Sequence, residues 1–363
     1  MTPTAITWPL EPHTKAKHDI LKRYLGAWFG IMGLKNPRIV YIDGFCGPGR
    51  YDGGEDGSPI LALKLAMEHH QRNFVQEVAF VFVDEDQRRI DHLNNELSTL
   101  TLPPSFHVSV FHNEFENTLS KILDDLEKSG SRLAPTFAFI DPFGYSGAPY
   151  KLIERLLRNQ KTEVLINLSV DSINRFLAHP DPQQKQLFVD RFGTPKVHDI
   201  VNSRNDRISQ LRTLYQHQLE KCARYVRFFE MRNEDNKVIY YLFFATQHPL
   251  GLVKIKEAFW RVDPSFGYKF SDATNPDQLV LFEEDHTSTL VEMLIKRFRG
   301  QKVIVLDIQT FVEVETPYLA KHMRDALKQL EKQATLCVEP CKKDGSKRQG
   351  HSFPEGAVVS FTD

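Results

Sequence analysis

The sequence predicts a Rossmann-like, doubly wound α/β sheet with a helical insertion, followed by a small C-terminal winged helix-turn-helix. Three observations carry this. Five short apolar or β-branched runs alternate with helical stretches in the first half of the 363-residue chain, the pattern of successive βαβ units. A polar stretch of helical character then interrupts the alternation, and two β-rich runs follow it. Near the C-terminus, helical runs precede two short β-runs that flank a basic loop.

Within residues 14–29, Ile20, Leu21, Tyr24, Leu25 and Trp28 recur at helical spacing. A β-branched run at 38–42 leads into a loop rich in Gly and Asp. Helix 59–68 follows, with Ser58 as its expected N-cap and Pro59 at its first position. Strands are expected at 78–83, 106–111, 136–140 and 163–168, separated by helices at 87–97, 116–127 and 150–157. Several of these strands are apolar almost throughout, as strands covered on both faces should be. Residues from about 171 to 224 read as an inserted helical cap. Runs 225–231 and 238–246 read as a hairpin adding an antiparallel edge, and 251–261 as a helix.

The stretch 264–285 reads as irregular, so the expected domains are 1–285 and 286–363. In the second, Leu290, Val291, Leu294, Ile295 and Phe298 line one helix. Thr316 is expected to cap another, with Pro317 at its first position and Leu319, Met323, Ala326, Leu327 and Leu330 on its face. Runs 335–339 and 357–362 form the wing.

Composition narrows the function. A net charge of −1 supplies no global pull toward nucleic acid, so any such surface is a local patch. Lys342, Lys343, Lys347 and Arg348 in the wing are the candidate patch, suited to phosphate contacts or to simple solvation. No apolar run reaches the roughly 18 residues of a membrane span, and residues 1–12 lack the pattern of a secretory signal. No membrane partner is expected. The four cysteines are scattered, which points to a reducing compartment, and the cytoplasm is expected. Cys337 and Cys341, near His322 and His351, fit no strong zinc spacing, and no metal is expected.

Asp43-Gly-Phe45-Cys-Gly47-Pro-Gly49 follows the first strand directly. Gly47 and Gly49 let the backbone turn sharply and approach a ligand. An ordinary βα turn is the alternative. Asp84 and Glu85 end the second strand, where a carboxylate can accept from ribose hydroxyls. Asn113 and Glu114 follow the third, where a polar group can read an adenine. Asp141-Pro142-Phe143-Gly144 follows the fourth. Polar groups at the carboxyl ends of consecutive strands mark the ligand edge of an open α/β sheet.

The loop is not G-x-G-x-x-G. About forty residues separate Asp43 from Asp84, against about twenty in dinucleotide fingerprints. No Gly-Lys-Ser/Thr follows either. S-adenosylmethionine, which carries no phosphate, is the expected cofactor. Among other candidates, Lys15, Lys17 and His18 begin the first helix; they fit a solvated face or, by the family resemblance given below, a helix folded over the cofactor. Arg50 and Tyr51 are placed to meet a cofactor carboxylate or to sit in a surface loop. Asn167 and Ser169 are placed to line the pocket. His248 is a possible general base or a loop histidine.

These motifs resemble known families. Asp43-x-Phe-x-Gly-x-Gly49 resembles motif I of class I methyltransferases acting on exocyclic amines, and Asp141-Pro-Phe-Gly resembles their motif IV. Across nearly the whole chain the sequence resembles the three-Cys-motif partner (TcmP) family. The likeness rests on Thr14-Lys-x-Lys-His-x-Ile-Leu-x-x-Tyr-Leu25, Tyr41-Ile-Asp-Gly-Phe-x-Gly-Pro-Gly-Arg-Tyr51, Gly57-Ser-Pro59, Phe139-Ile-Asp-Pro-Phe-Gly144 and the winged helix. It implies a methyltransferase in which Asp141 and the Pro142 carbonyl orient the acceptor amine while Phe143 or Tyr145 stacks on a base of DNA or RNA. Phe143 stands where motif IV has a second Pro, which leaves the stacking residue open. The resemblance also implies a three-Cys-motif partner. Its alternatives are a non-catalytic docking protein and a small-molecule methyltransferase.

Overall fold

The computed structural model describes residues 5–72, 75–203, 206–265, 267–273, 286–342 and 351–362. The chain divides into two compact units, Met1–Ala258 with Lys269–Asn275, and Phe259–Tyr268 with Pro276–Asp363. The expected boundary at 285 lies outside the described residues.

The first unit opens with α1 (Pro12–Lys35). Strands and helices then alternate: β1 (Arg38–Asp43), α2 (Ser58–Gln71), β2 (Glu77–Asp84), α3 (Gln87–Ser98), β3 (Phe106–His112), α4 (Phe115–Lys128), β4 (Thr136–Ile140), α5 (Tyr150–Leu157) and β5 (Thr162–Leu168). The insertion comprises α6 (Val170–Phe176), α7 (Pro182–Phe192), a 3₁₀ helix (Pro195–Asn202) and α8 (Arg207–Leu219). The antiparallel pair β6 (Tyr225–Arg232) and β7 (Val238–Thr246), then α9 (Pro249–Val262) and the short β8 (Lys269–Ser271), follow.

The sheet order is β3-β2-β1-β4-β5-β7-β6-β8. Strands β1 to β5 run parallel and β7 enters antiparallel beside β5. This is the expected Rossmann-like sheet of the class I methyltransferase type, its order reversing between β1 and β4. Every residue of β4 and β5 is buried, because helices cover both faces. Asp43 pairs with Phe139 and Phe82, and Ile140 pairs with Ile166. The residues one step beyond, Asp141 and Asn167, therefore emerge side by side at the carboxyl edge.

The second unit contains α10 (His286–Phe298), β9 (Lys302–Ile304), α11 (Val305–Glu315), α12 (Ala320–Lys332), β10 (Leu336–Lys342) and β11 (Ala357–Phe361). Its sheet order is β10-β11-β9, and it is the expected winged helix-turn-helix. Met323, Ala326, Leu327 and Leu330 form the buried stripe of α12.

Three sequence expectations need correction. Ser58 is the first residue of α2, whose N-cap is Gly57, because the Ser58 hydroxyl bonds the Asp43 carboxylate. Thr316 ends α11 instead of starting α12. Its hydroxyl donates to the Val312 carbonyl at 2.6 Å and accepts from the Tyr318 N–H at 3.1 Å. The irregular stretch 264–285 contains β8, which extends the sheet beyond β6.

Candidate functional site

The loop after β1 is tied down from several sides. The Gly44 N–H donates to the Phe139 carbonyl at 3.0 Å, and the Cys46 N–H to the Val83 carbonyl at 2.9 Å. Gly47 and Gly49 have φ of 62° and 83°, the left-handed region that glycine enters without strain. A Cβ on Gly49 would lie 2.8 Å from Leu93 Cδ1. The loop is shaped so that only glycine fits at that turn.

Asp84 secures this shape from β2. Its carboxylate accepts from the Gly47 N–H at 3.0 Å and from the Asp86 N–H at 2.9 Å, and burial pushes its pKa up against those bonds. The group expected to meet ribose hydroxyls thus shapes the loop. Glu85, Asn113 and Glu114 instead line an open depression at the ends of β2 and β3, together with Asp86, Gln87 and His112. Asn113 Oδ1 accepts from the Glu114 N–H at 2.9 Å, and Glu114 accepts from Asn117 Nδ2 at 2.8 Å.

A second, narrower cavity lies between the glycine loop, α1 and Asp141. Phe45, Gly47, Gly49, Asp141 and Phe143 all line it. Lys17 and His18 join them and are buried, 6% and 7% exposed. Lys15 lies on the solvated face. Lys17 Nζ forms an ion pair with Asp141 Oδ2, and Asn167 Nδ2 donates to Asp141 Oδ1 at 2.7 Å. Both oxygens of Asp141 are held. His18 lies 3.3 Å from the Tyr51 hydroxyl. Burial, reinforced by Lys17, pulls its pKa down to about 4, so the imidazole is neutral at pH 7. Asp43, fully buried, accepts from Tyr41 at 3.3 Å. Burial raises its pKa to about 7; the Ser58 bond opposes that shift and Asp141 reinforces it.

Arg89 of α3 completes the site. Its guanidinium stands 5.2 Å from the Trp8 ring and 5.3 Å from the Phe143 ring, with Asp84 at 3.8 Å. Trp8 meets Phe143 edge-on at 5.4 Å. Neither Trp8 nor Arg89 stands out in the sequence motifs.

The expected role of Tyr145 does not fit this arrangement. Tyr145 turns away after Gly144, whose φ is 95°. Its ring packs on Phe188 and Phe176, 5.1 and 5.7 Å away, and its hydroxyl accepts from Gln184. It belongs to the packing beneath the insertion. Arg50 lines the cavity beside Tyr51, but its guanidinium is engaged by Glu96, by Asp56 at 2.9 Å and by the Gly54 carbonyl at 3.1 Å, while Tyr51 faces His18. Elsewhere, Ser169 stands at the N-cap position of α6, its hydroxyl donating to the Ser172 hydroxyl at 3.1 Å. His248 lines a groove with Glu163 and Thr246, at the opposite edge of the sheet.

Lys342 ends β10, while Lys343, Lys347 and Arg348 lie outside the described residues. Among the described residues, no group of three or more His, Cys, Asp or Glu is placed to hold a metal ion. No helix there is long and apolar enough to cross a membrane.

A family model described as a GMT-like wHTH domain matches residues 267–343. No curated protein matches the chain. Similar solved structures include an O-methyltransferase from Bacillus cereus in complex with SAH, at 13% identity and a TM-score of 0.34, covering 62% of this chain and 80% of that one. Another is a putative caffeoyl-CoA O-methyltransferase from Staphylococcus aureus, at 13% identity and a TM-score of 0.29, covering 61% and 82%. A geranyl diphosphate methyltransferase in complex with SAM has 12% identity and a TM-score of 0.27, covering 65% and 85%. These scores are low. The assignment of the first unit rests on its strand order, and that of the second on its helices and wing together with the family model.

Proposed function

We infer that the chain is an S-adenosylmethionine-dependent methyltransferase acting on an exocyclic amine of a nucleobase in DNA or RNA, alongside a three-Cys-motif partner protein. One observation carries the reading. The glycine loop after β1 and the doubly held carboxylate after β4 line the same cavity at the carboxyl edge of the sheet.

The residues present suit this cofactor. The positive φ of Gly47 and Gly49 keeps the loop tight beside the cavity, and a Cβ on Gly47 would lie 3.6 Å from the Trp8 ring on the cavity wall. The acidic surroundings, Asp84, Glu85, Asp86 and Glu114, disfavour a phosphate and favour a cationic ligand with hydroxyls. When bound, S-adenosylmethionine supplies an electrophilic methyl group on a positively charged sulfur.

The chain's own contribution is placement. Asn167 and Lys17 fix the Asp141 carboxylate, whose remaining lone pairs can accept an N–H of the acceptor amine. With the Pro142 carbonyl as a second acceptor, the nitrogen lone pair is directed at the methyl group. Alignment of this kind accounts for most of the acceleration in such a displacement. Phe143, on the cavity wall, is the aromatic placed to contact a base.

The test is transfer of label from S-adenosylmethionine to DNA, RNA or small molecules, with and without the partner protein. Asp141→Asn is preferred to alanine, because alanine would strand the buried Lys17 ammonium. It is expected to cut transfer at least a hundredfold while leaving cofactor affinity within a few-fold. Label retained on a nucleobase amine in that variant overturns the role of Asp141. Cofactor binding with no transfer to any acceptor overturns the enzymatic reading.

A further inference from the structure

Resting on the cofactor assignment above, we propose that Lys17 grips the amino-acid end of S-adenosylmethionine, its ammonium taking the ligand's α-carboxylate while Asp141 anchors it from behind. Lys17 projects from the second turn of α1 into the cavity beside Gly47. An ammonium group has three N–H donors. One points to Asp141, and the face of the Tyr240 ring lies 5.5 Å away. Donor capacity remains toward the cavity.

Burying an ammonium is costly unless it is paired, and a surface helix satisfies none of its packing needs with one. The position is nonetheless on the buried stripe of α1, in line with Leu21, Tyr24 and Trp28. The other basic groups at the cavity do not compete for a carboxylate: Arg89 stands behind Trp8 and Phe143 and faces Asp84 at 3.8 Å and Asp86 at 3.9 Å. Arg50 is engaged by Glu96 and Asp56, and His18 is neutral at pH 7. Thr14 and Tyr51 add hydroxyl groups beside Lys17.

The open depression at the ends of β2 and β3 gives the direction of the ligand. Glu85, Asp86 and Glu114 repel a carboxylate and accept from hydroxyls. The nucleoside end belongs there and the amino-acid end under α1. A charge-assisted bond between Lys17 and the carboxylate is stronger than a neutral one.

Calorimetry with S-adenosylhomocysteine and with its decarboxylated analogue, which keeps the amine and loses only the carboxylate, tests this directly. The wild-type chain is expected to prefer S-adenosylhomocysteine by at least tenfold. In Lys17→Met the preference falls to within about twofold, the decarboxylated analogue binding as before, and Lys17→Arg recovers part of it. Thermal melts confirm that the variants fold. If the wild type shows no preference, or if Lys17→Met weakens both ligands equally, the assignment of Lys17 is wrong and the cofactor reading stands. If the wild type binds neither ligand, the cofactor reading itself fails and takes the assignment with it.

Discussion

At His18 the site stores a pH dependence. The imidazole is buried against the Tyr51 ring, and burial, reinforced by the Lys17 charge, holds its pKa in the folded chain at about 4, against an ordinary value near 6.5. Below pH 6.5 the unfolded chain takes up a proton that the folded chain refuses. Stability therefore falls as pH drops from about 6.5 toward 4. His18→Gln is expected to flatten that slope. Urea unfolding at pH 4.5 and pH 7 should show the wild type losing on the order of 2 kcal/mol more than the variant. Equal losses would mean that the imidazole is protonated in the folded chain. The signal for His18 and Lys17 was present in the sequence, because Lys17 falls four and seven residues before Leu21 and Tyr24, on the apolar stripe of the helix. A charge in a core position is a site marker that composition alone hides. Arg89 hides in the same way, four residues before the buried Leu93.

Among the elements, the loop after β1 tolerates least. Gly49→Ala places a methyl group at a φ of 83° and 2.8 Å from Leu93 Cδ1. It is expected to cost about 1–3 kcal/mol in denaturant unfolding and to weaken cofactor binding at least tenfold; unchanged affinity would separate the loop from the ligand. The strands of the βα units were legible to within a residue or so and their helices to within three, α2 running on to Gln71, since strands buried on both faces carry an unmistakable apolar pattern. The insertion was legible only as helix. β9 and α11 were not, because Lys302 to Val314 is rich in β-branched residues that suit either state. The turn at Gly144 was equally hidden. It sends Tyr145 toward α7, where the sequence motif alone would place it beside Phe143.

On the scale of the whole molecule, a nearly neutral chain leaves nucleic-acid contact to local charge. Replacing Lys342, Lys343, Lys347 and Arg348 with Gln is expected to weaken binding to any sequence alike and to flatten its salt dependence by up to about 3.6 units of log–log slope. An unchanged slope in a filter-binding titration would move the contact away from the wing. The three tryptophans divide differently. Trp28 lies in the packed interior of α1, and Trp260 donates to the Pro317 carbonyl at 2.8 Å. Trp8 stands against the Gly47 loop, Phe143 and the Arg89 guanidinium. With Trp28→Phe and Trp260→Phe in place, the molecule carries a single indole emitter at the mouth of its ligand cavity. Its fluorescence then becomes an optical titration of that cavity, with quenching or a wavelength shift as ligand enters, and it needs no acceptor to be known in advance.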